Sequence, residues 1–225
     1  GDDIYNLRKM LGCRDFSAEN WGCLRKLDLS EASIVEGGES YDGSYYGYTT
    51  NNIIGSSMFD YSENLQEIQL PQNITAIEGH AFCGCKNLKD IVLPDSVTSL
   101  GNWAFGNCQL SSITIPRSLT SISQAAFCYG TDSNVGTAVH IKDLEAWLNI
   151  DFEWYHSNPL ANGGKLYLNG DELTELTIPE SVTEINNFAF IEANMVSGRQ
   201  LTYLCKYPPL PMSNDNWYRR NIDCS

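Results

Sequence analysis

Four times along the chain one phrase returns in phase. It reads Leu65-x-x-Ile68-x-Leu70-Pro71, Leu88-x-x-Ile91-x-Leu93-Pro94, Leu110-x-x-Ile113-x-Ile115-Pro116 and Leu173-x-x-Leu176-x-Ile178-Pro179. A second apolar pair follows each proline: Ile74/Ile77, Val97/Leu100, Leu119/Ile122 and Val182/Ile185. An Ala-Phe step then closes each unit at Phe82, Phe105, Phe127 and Phe190, with Phe59 lying 23 residues before the first. A phased period of 22 or 23 residues constrains the fold more than any other feature. One unit cannot bury its own Leu, Ile and Phe side chains, whereas stacked units bury them in a continuous core. The two-residue step puts Ile68 and Leu70 on one face of a strand, and proline ends that strand because it cannot donate to a ladder. Separate hairpins would need antiparallel turn signals every 8 to 12 residues or so, and the sequence lacks them. The spacing therefore predicts a stack of roughly five or six coils. Its parallel strands should lie near 66–70, 89–93, 111–115 and 174–178, about 4.8 Å apart.

The phrase resembles the BspA-type leucine-rich repeat of bacterial surface proteins. Residues 88–109 carry it most fully, as Leu-x-x-Ile-x-Leu-Pro-x-Ser-Val-Thr-x-Leu-Gly-x-x-Ala-Phe. Close relatives occupy 65–87, 110–130 and 173–200, and Leu24-x-x-Leu27-x-Leu29 extends the likeness toward the start. This type lacks the asparagine ladder of the commoner repeat. The resemblance implies an α+β repeat solenoid, a right-handed stack of coils with one parallel sheet, a helical N-terminal cap and two insertions. It also implies a non-enzymatic binding or adhesion protein, extracellular or on the bacterial surface, recognising a host or neighbouring-cell protein or glycan. A spacer that displays another domain and a glycan-capture component of a nutrient-uptake system are the alternatives.

We expect a single domain over 1–225, with a cap at 1–23, repeats over 24–207 and an irregular tail at 208–225 that begins at Pro208, Pro209 and Pro211. In the cap, Ile4, Leu7 and Leu11 fall at helical spacing over 3–12, and Gly12 is placed to end the helix. The insertions lie near 37–52 and 131–169. In the second, Val139-His140-Ile141 reads as a strand, and Asp143 can cap a helix with Leu144, Trp147 and Leu148 on one face. Lys165 to Asn169 reads as a strand entering an Asn-Gly turn. The repeat resumes in phase at Leu173, so the second insertion reads as an elaborated coil.

Charge narrows the partners. With 14 basic against 28 acidic residues the chain carries a formal charge of −14. Phosphate neutralisation needs clustered Lys and Arg, so nucleic acid is disfavoured, as is docking on anionic lipid. No apolar run approaches the roughly 20 residues of a spanning helix. No nucleophile elbow, phosphate loop, zinc or calcium motif occurs, so we expect no enzyme, cofactor or metal, and a monomer. His80, His140 and His156 read as ordinary loop or strand residues. Cys85 and Cys108 each follow a repeat Phe by three positions, which predicts one inward column of reduced thiols and no bridge. Cys83 and Cys128 stand two coils apart. Cys13 and Cys23 are the pair most free to bond, and the redox state of Cys205 and Cys224 is open.

Two surfaces are candidates for binding. The outward strand positions Glu67, Gln69, Asp90, Val92, Ser112, Thr114, Glu175 and Thr177 offer no Trp, Tyr or Arg anchor; Glu67 and Asp90 are its charged contacts. The loops hold more aromatic surface. Tyr41, Tyr45, Tyr46 and Tyr48 lie among Gly and Ser, a binding-loop composition, although the same rings can cover the first coil. Trp154 and Tyr155 can stack on a sugar or pack beneath the insertion. We expect a ligand to meet these loops before the acidic strand face.

Overall fold

The computed structural model describes residues 1–13, 23–44, 47–128, 134–179, 181–182, 185–186 and 188–190, and the backbone of 202–203. Helix α1 (Asp2–Leu11) precedes the coils. The first coil contributes β1 (Lys26–Asp28) and β2 (Ile53–Ile54), the second β3 (Glu67–Gln69) and β4 (Ala76–Ile77). The third adds β5 (Asp90–Val92) and β6 (Ser99–Leu100), the fourth β7 (Ser112–Ile115) and β8 (Ser121–Ile122). The fifth carries β9 (Ala138–Ile141), helix α2 (Leu144–Leu148) and β10 (Asp151–Phe152). Then come β11 (Lys165–Leu168), β12 (Asp171–Glu172), β13 (Thr177–Ile178) and β14 (Thr202–Tyr203).

On one side of the solenoid β1 pairs with β3, and β5, β7, β9 and β11 pair in order, all parallel; β3 lies against β5. Strands β3, β5 and β7 fall inside the ranges that the repeat predicts, and β9 and β11 overlap the strands expected within the second insertion. A second parallel ladder, β2-β4-β6-β8-β10, runs along the return segments. Each of its strands has two residues, too short for an alternation to be visible in sequence, and the expectation of one sheet passed over it. Coil-to-coil bonds hold it: Thr75 N–H donates to Asn52 O, Thr98 N–H to Thr75 O and Thr120 N–H to Thr98 O, at 2.8 to 2.9 Å.

The Ala-Phe step forms a third backbone ladder. The N–H groups of Phe59, Phe82 and Phe105 donate to the carbonyls of Ala81, Ala104 and Ala126 in the next coil, each at 2.8 Å. Their rings stack along the axis with centroids 5.4, 5.4 and 5.5 Å apart through Phe127. The residue two before each repeat Phe has positive φ: Ser57, His80, Trp103, Ala125 and Phe188. Non-glycine residues rarely adopt that conformation, and the ladders on either side impose it.

Helix α1 closes the open end of the stack. Gly12 ends it at φ 72, bonding back to Lys9 O. Ile4 and Leu11 are buried as the spacing predicts, but Leu7 is only half-buried, and Arg8 is fully buried in its place. The first coil has no preceding coil to bond its turn carbonyls, and a guanidinium supplies the missing donors. Arg8 Nη1 donates to Ser57 O, to Met58 O at 3.1 Å and to the Asp60 carboxylate at 3.0 Å. Cys13 is buried with its Sγ 3.0 Å from Ser62 Oγ, while Cys23 is exposed. The two are not bonded, because cap packing turns Cys13 inward. Cys205, Cys224 and the tail lie outside the described residues.

The second insertion continues the stack. Strands β9 and β11 extend the first ladder and β10 the second, so 134–162 is a coil lengthened by α2. Asp143 Oδ1 caps that helix by accepting from Ala146 N–H at 3.0 Å. Trp147 and Leu148 are buried, and the Trp147 indole donates to Ala189 O at 3.1 Å. Asn169 and Gly170, at φ 54 and 98, make the tight turn from β11 back to the antiparallel β12.

Candidate functional site

The thiols of Cys85 and Cys108 are committed to structure. The Cys85 thiol donates to Phe59 O and the Cys108 thiol to Phe82 O, each at 3.1 Å and each reaching one coil back. Burial pushes the Cys85 thiol well above its ordinary range and the Cys108 thiol up to about 12, so both stay protonated and inert at neutral pH. None of the described cysteines is in a disulfide. Exposed Cys23 is expected to react with a thiol reagent at once in the native protein, and Cys85 and Cys108 only after unfolding. Native labelling of the latter two, or a Cys85–Cys108 bridge in a mass spectrum, would contradict the column. Among the described residues no group of three or more His, Cys, Asp or Glu side chains is arranged to hold a metal. No described helix is long and apolar enough to cross a membrane.

Among the described residues the aromatic loops do not form one surface. Tyr41 is completely buried, and its hydroxyl donates to Ser56 O at 2.6 Å. Burial, with Asp42 next to it, raises the phenol well above its usual pKa. Tyr41 therefore covers the first coil and has no face to offer a ligand, which corrects its place among the contacts. Tyr45 and Tyr46 lie outside the described residues. Tyr48 is 51% exposed and Trp154 46%. Tyr155 is half-buried, its hydroxyl donating to Ala161 O and its ring edge-on to His156 at 4.3 Å. Tyr48 lies five residues before β2, the first strand of the second ladder, and Trp154 two residues after β10, the last. Four strand spacings separate β2 from β10, about 19 Å along the stack.

The outward face of the first ladder is more continuous than its sequence suggests. One column runs Lys26, Glu67, Asp90, Ser112, Ala138, Lys165, and the other Asp28, Gln69, Val92, Thr114, His140, Tyr167. Glu67 is exposed and ion-paired to exposed Lys26; Asp90 is exposed. The imidazole of His140 stacks on the Tyr167 ring, centroids 4.8 Å apart. Just beyond them Thr114, His140, Ile141, Lys142, Asn169 and Gly170 line a depression of about 430 Å³. The expectation that this face has no aromatic anchor is thus corrected by Tyr167. It rested on the four repeat strands alone, without the strands of the elaborated coil at 131–169. The signal was available, since His140/Lys142 and Tyr167/Asn169 alternate with the buried Val139, Ile141 and Leu166.

No curated protein matches the chain. Among solved structures it is similar to a leucine-rich repeat protein from Bacteroides ovatus, at 20% identity over 71% of this chain and 44% of that one, with a TM-score of 0.35. It is also similar to a leucine rich cell surface protein from Faecalibacterium prausnitzii, at 20% identity over 84% of this chain and 50% of that one, with a TM-score of 0.42. The chain thus spans half or less of the length of either protein. The model of the BspA type leucine rich repeat region matches residues 52–140 and 163–202 in six copies, more than half of the sequence. With the phased coils, parallel ladders and Phe stack, that match places the chain in the BspA-type leucine-rich-repeat family.

Proposed function

We propose that this chain is a non-enzymatic binding or adhesion protein that works outside a bacterial cell, at the surface or released from it, and recognises a protein or glycan. The observation that carries the reading is the outward face of the first ladder. Inward positions hold a regular aliphatic pattern from β3 to β11, while the outward positions range from Glu67 and Asp90 to His140 and Tyr167. A rigid ladder with a freely varied face suits recognition, because the side chains are held in place before the ligand arrives. Membership of a family of bacterial surface proteins supports the location. A net charge of −14 favours neutral or basic ligands. The exposed Tyr48 and Trp154 are secondary contacts at the two ends of the other ladder.

The test is an array of glycans and extracellular-matrix proteins probed with the purified chain. We expect saturable binding to a restricted set of spots, weakened by substitutions on the strand face. A chain that binds nothing on such an array acts as a spacer, and the reading fails.

A further inference from the structure

We propose that the depression between β9 and β11 is a saccharide-binding site, with His140 backed by Tyr167 as the stacking ring and Thr114, Lys142 and Asn169 as polar contacts. The proposal rests on the binding reading above and names its ligand class. Its ground is the way departures from the repeat converge. At the register just past the strand, the three preceding coils carry Pro71, Pro94 and Pro116, all buried. The next two carry Lys142 and Asn169 at that register. Two residues earlier, Gln69, Val92 and Thr114 give way to His140 and Tyr167. The inward neighbours Val139, Ile141 and Leu166 keep the aliphatic type and stay buried, so core packing does not account for the change. His140, Lys142 and Asn169 line the same depression, and the Tyr167 ring stacks on His140.

The chemistry of the lining selects the ligand. A pyranose presents one C–H face and a rim of hydroxyls, each both donor and acceptor. An aromatic ring matches the face, while an amide and a hydroxyl, each donor and acceptor in one, match the rim. The Lys142 ammonium forms no ion pair among the described residues and is available as a donor. The volume of about 430 Å³ lies in the range of small-molecule sites, roughly 300–1,000 Å³. A strongly anionic ligand fits less well. Asp171 and Glu172 stand on β12 beside Tyr167 and Leu168, Asp143 follows Lys142, and Lys165 is already held by Glu172 at 3.2 Å. A peptide adding itself as a strand next to β11 is also excluded, because β12 occupies that edge at Tyr167 and Leu168.

The experiment titrates the full chain with the methyl glycosides of β-glucose, β-galactose, α-mannose and N-acetyl-β-glucosamine, followed by amide NMR. At least one should shift resonances of residues 114, 140–142 and 167–170 and saturate with a Kd of about 1 mM, weak because one ring makes few contacts. His140→Ala should weaken it more than about tenfold, and Lys142→Ala and Asn169→Gly about fivefold each. Glycine keeps the positive φ of the turn, and an unchanged melting temperature separates lost contact from lost fold. Shifts confined to Tyr48 or Trp154, or no shifts with any of the four, overturn the saccharide site. If the array still shows a protein ligand, the binding reading survives that failure; if the array is blank as well, both fall.

Discussion

Phe105→Ala is expected to destabilise the protein by about 3–5 kcal/mol, the range for truncating a buried aromatic ring. The ring is fully buried, lies 5.4 Å from Phe82 and 5.5 Å from Phe127, and is nearly parallel to both. The size of such a loss depends on whether the walls can close over the cavity. Here they cannot approach, because coil spacing is fixed by the backbone bonds from Phe82 to Ala104 and from Phe105 to Ala126. The stacking with two neighbours, about 0.5–1.5 kcal/mol per pair, is lost as well. A second consequence follows from the one-dimensional architecture. Each coil touches only its neighbours, so a weakened junction in the middle divides the stack into two halves. Urea denaturation should therefore show a lower midpoint and a shallower slope, the sign of reduced cooperativity. Phe190→Ala, at a half-buried ring, should cost clearly less. A midpoint that does not move for Phe105→Ala would show that the ring is not part of the core.

The periodic part of this fold could be read from the sequence because every coil repeats the same physical requirement. Strand positions, the inward Phe and the thiol column depend on spacing alone. Local signals were also enough for the Asp143 cap and the Asn169-Gly170 turn, since each is decided within a few residues. What the sequence hid was set by the neighbours of a coil. The two-residue second ladder exists only through bonds between coils. Arg8 is buried because the first coil lacks a predecessor, a condition visible only once the stack is built. Tyr41 reads as a binding-loop tyrosine until its hydroxyl is seen to meet Ser56. The candidate site was obscured because the coil at 131–169 departs from the repeat phrase, which leaves its register against β7 unmarked in the sequence. Had β9 and β11 been laid in register with β7, His140 and Tyr167 would have fallen beside Thr114.

Removing the side-chain amide of Asn134 should be nearly as damaging as removing the Phe105 ring, and the reason lies in the length of one coil. In 23-residue coils, the leucine opening each phrase bonds back three positions: Leu65 N–H to Ser62 O and Leu88 N–H to Cys85 O. From Phe105 to Phe127 the period is 22, and the missing residue falls between Cys108 and Leu110. Leu110 N–H has therefore lost the three-back acceptor. Asn134, 1% exposed, supplies the replacement: its Oδ1 accepts from Leu110 N–H at 2.9 Å. Its Nδ2 donates to Phe105 O at 2.9 Å and Phe127 O at 2.7 Å, the first being the coil-to-coil bond that Cys85 and Cys108 make with their thiols. Asn134→Leu keeps the volume but strands one buried donor and weakens two acceptors. At about 1–3 kcal/mol for each unsatisfied buried group, the loss should reach about 3 kcal/mol or more. Asn134→Cys should recover part of it by restoring a thiol-to-carbonyl bond to Phe105. It should still leave Leu110 N–H unmet, with faster hydrogen exchange at that amide. Inserting one residue between Gln109 and Leu110 restores the 23-residue spacing and the three-back acceptor, so Asn134→Leu should cost measurably less in that background. Equal costs in the two backgrounds would show that Asn134 does not compensate for the short coil.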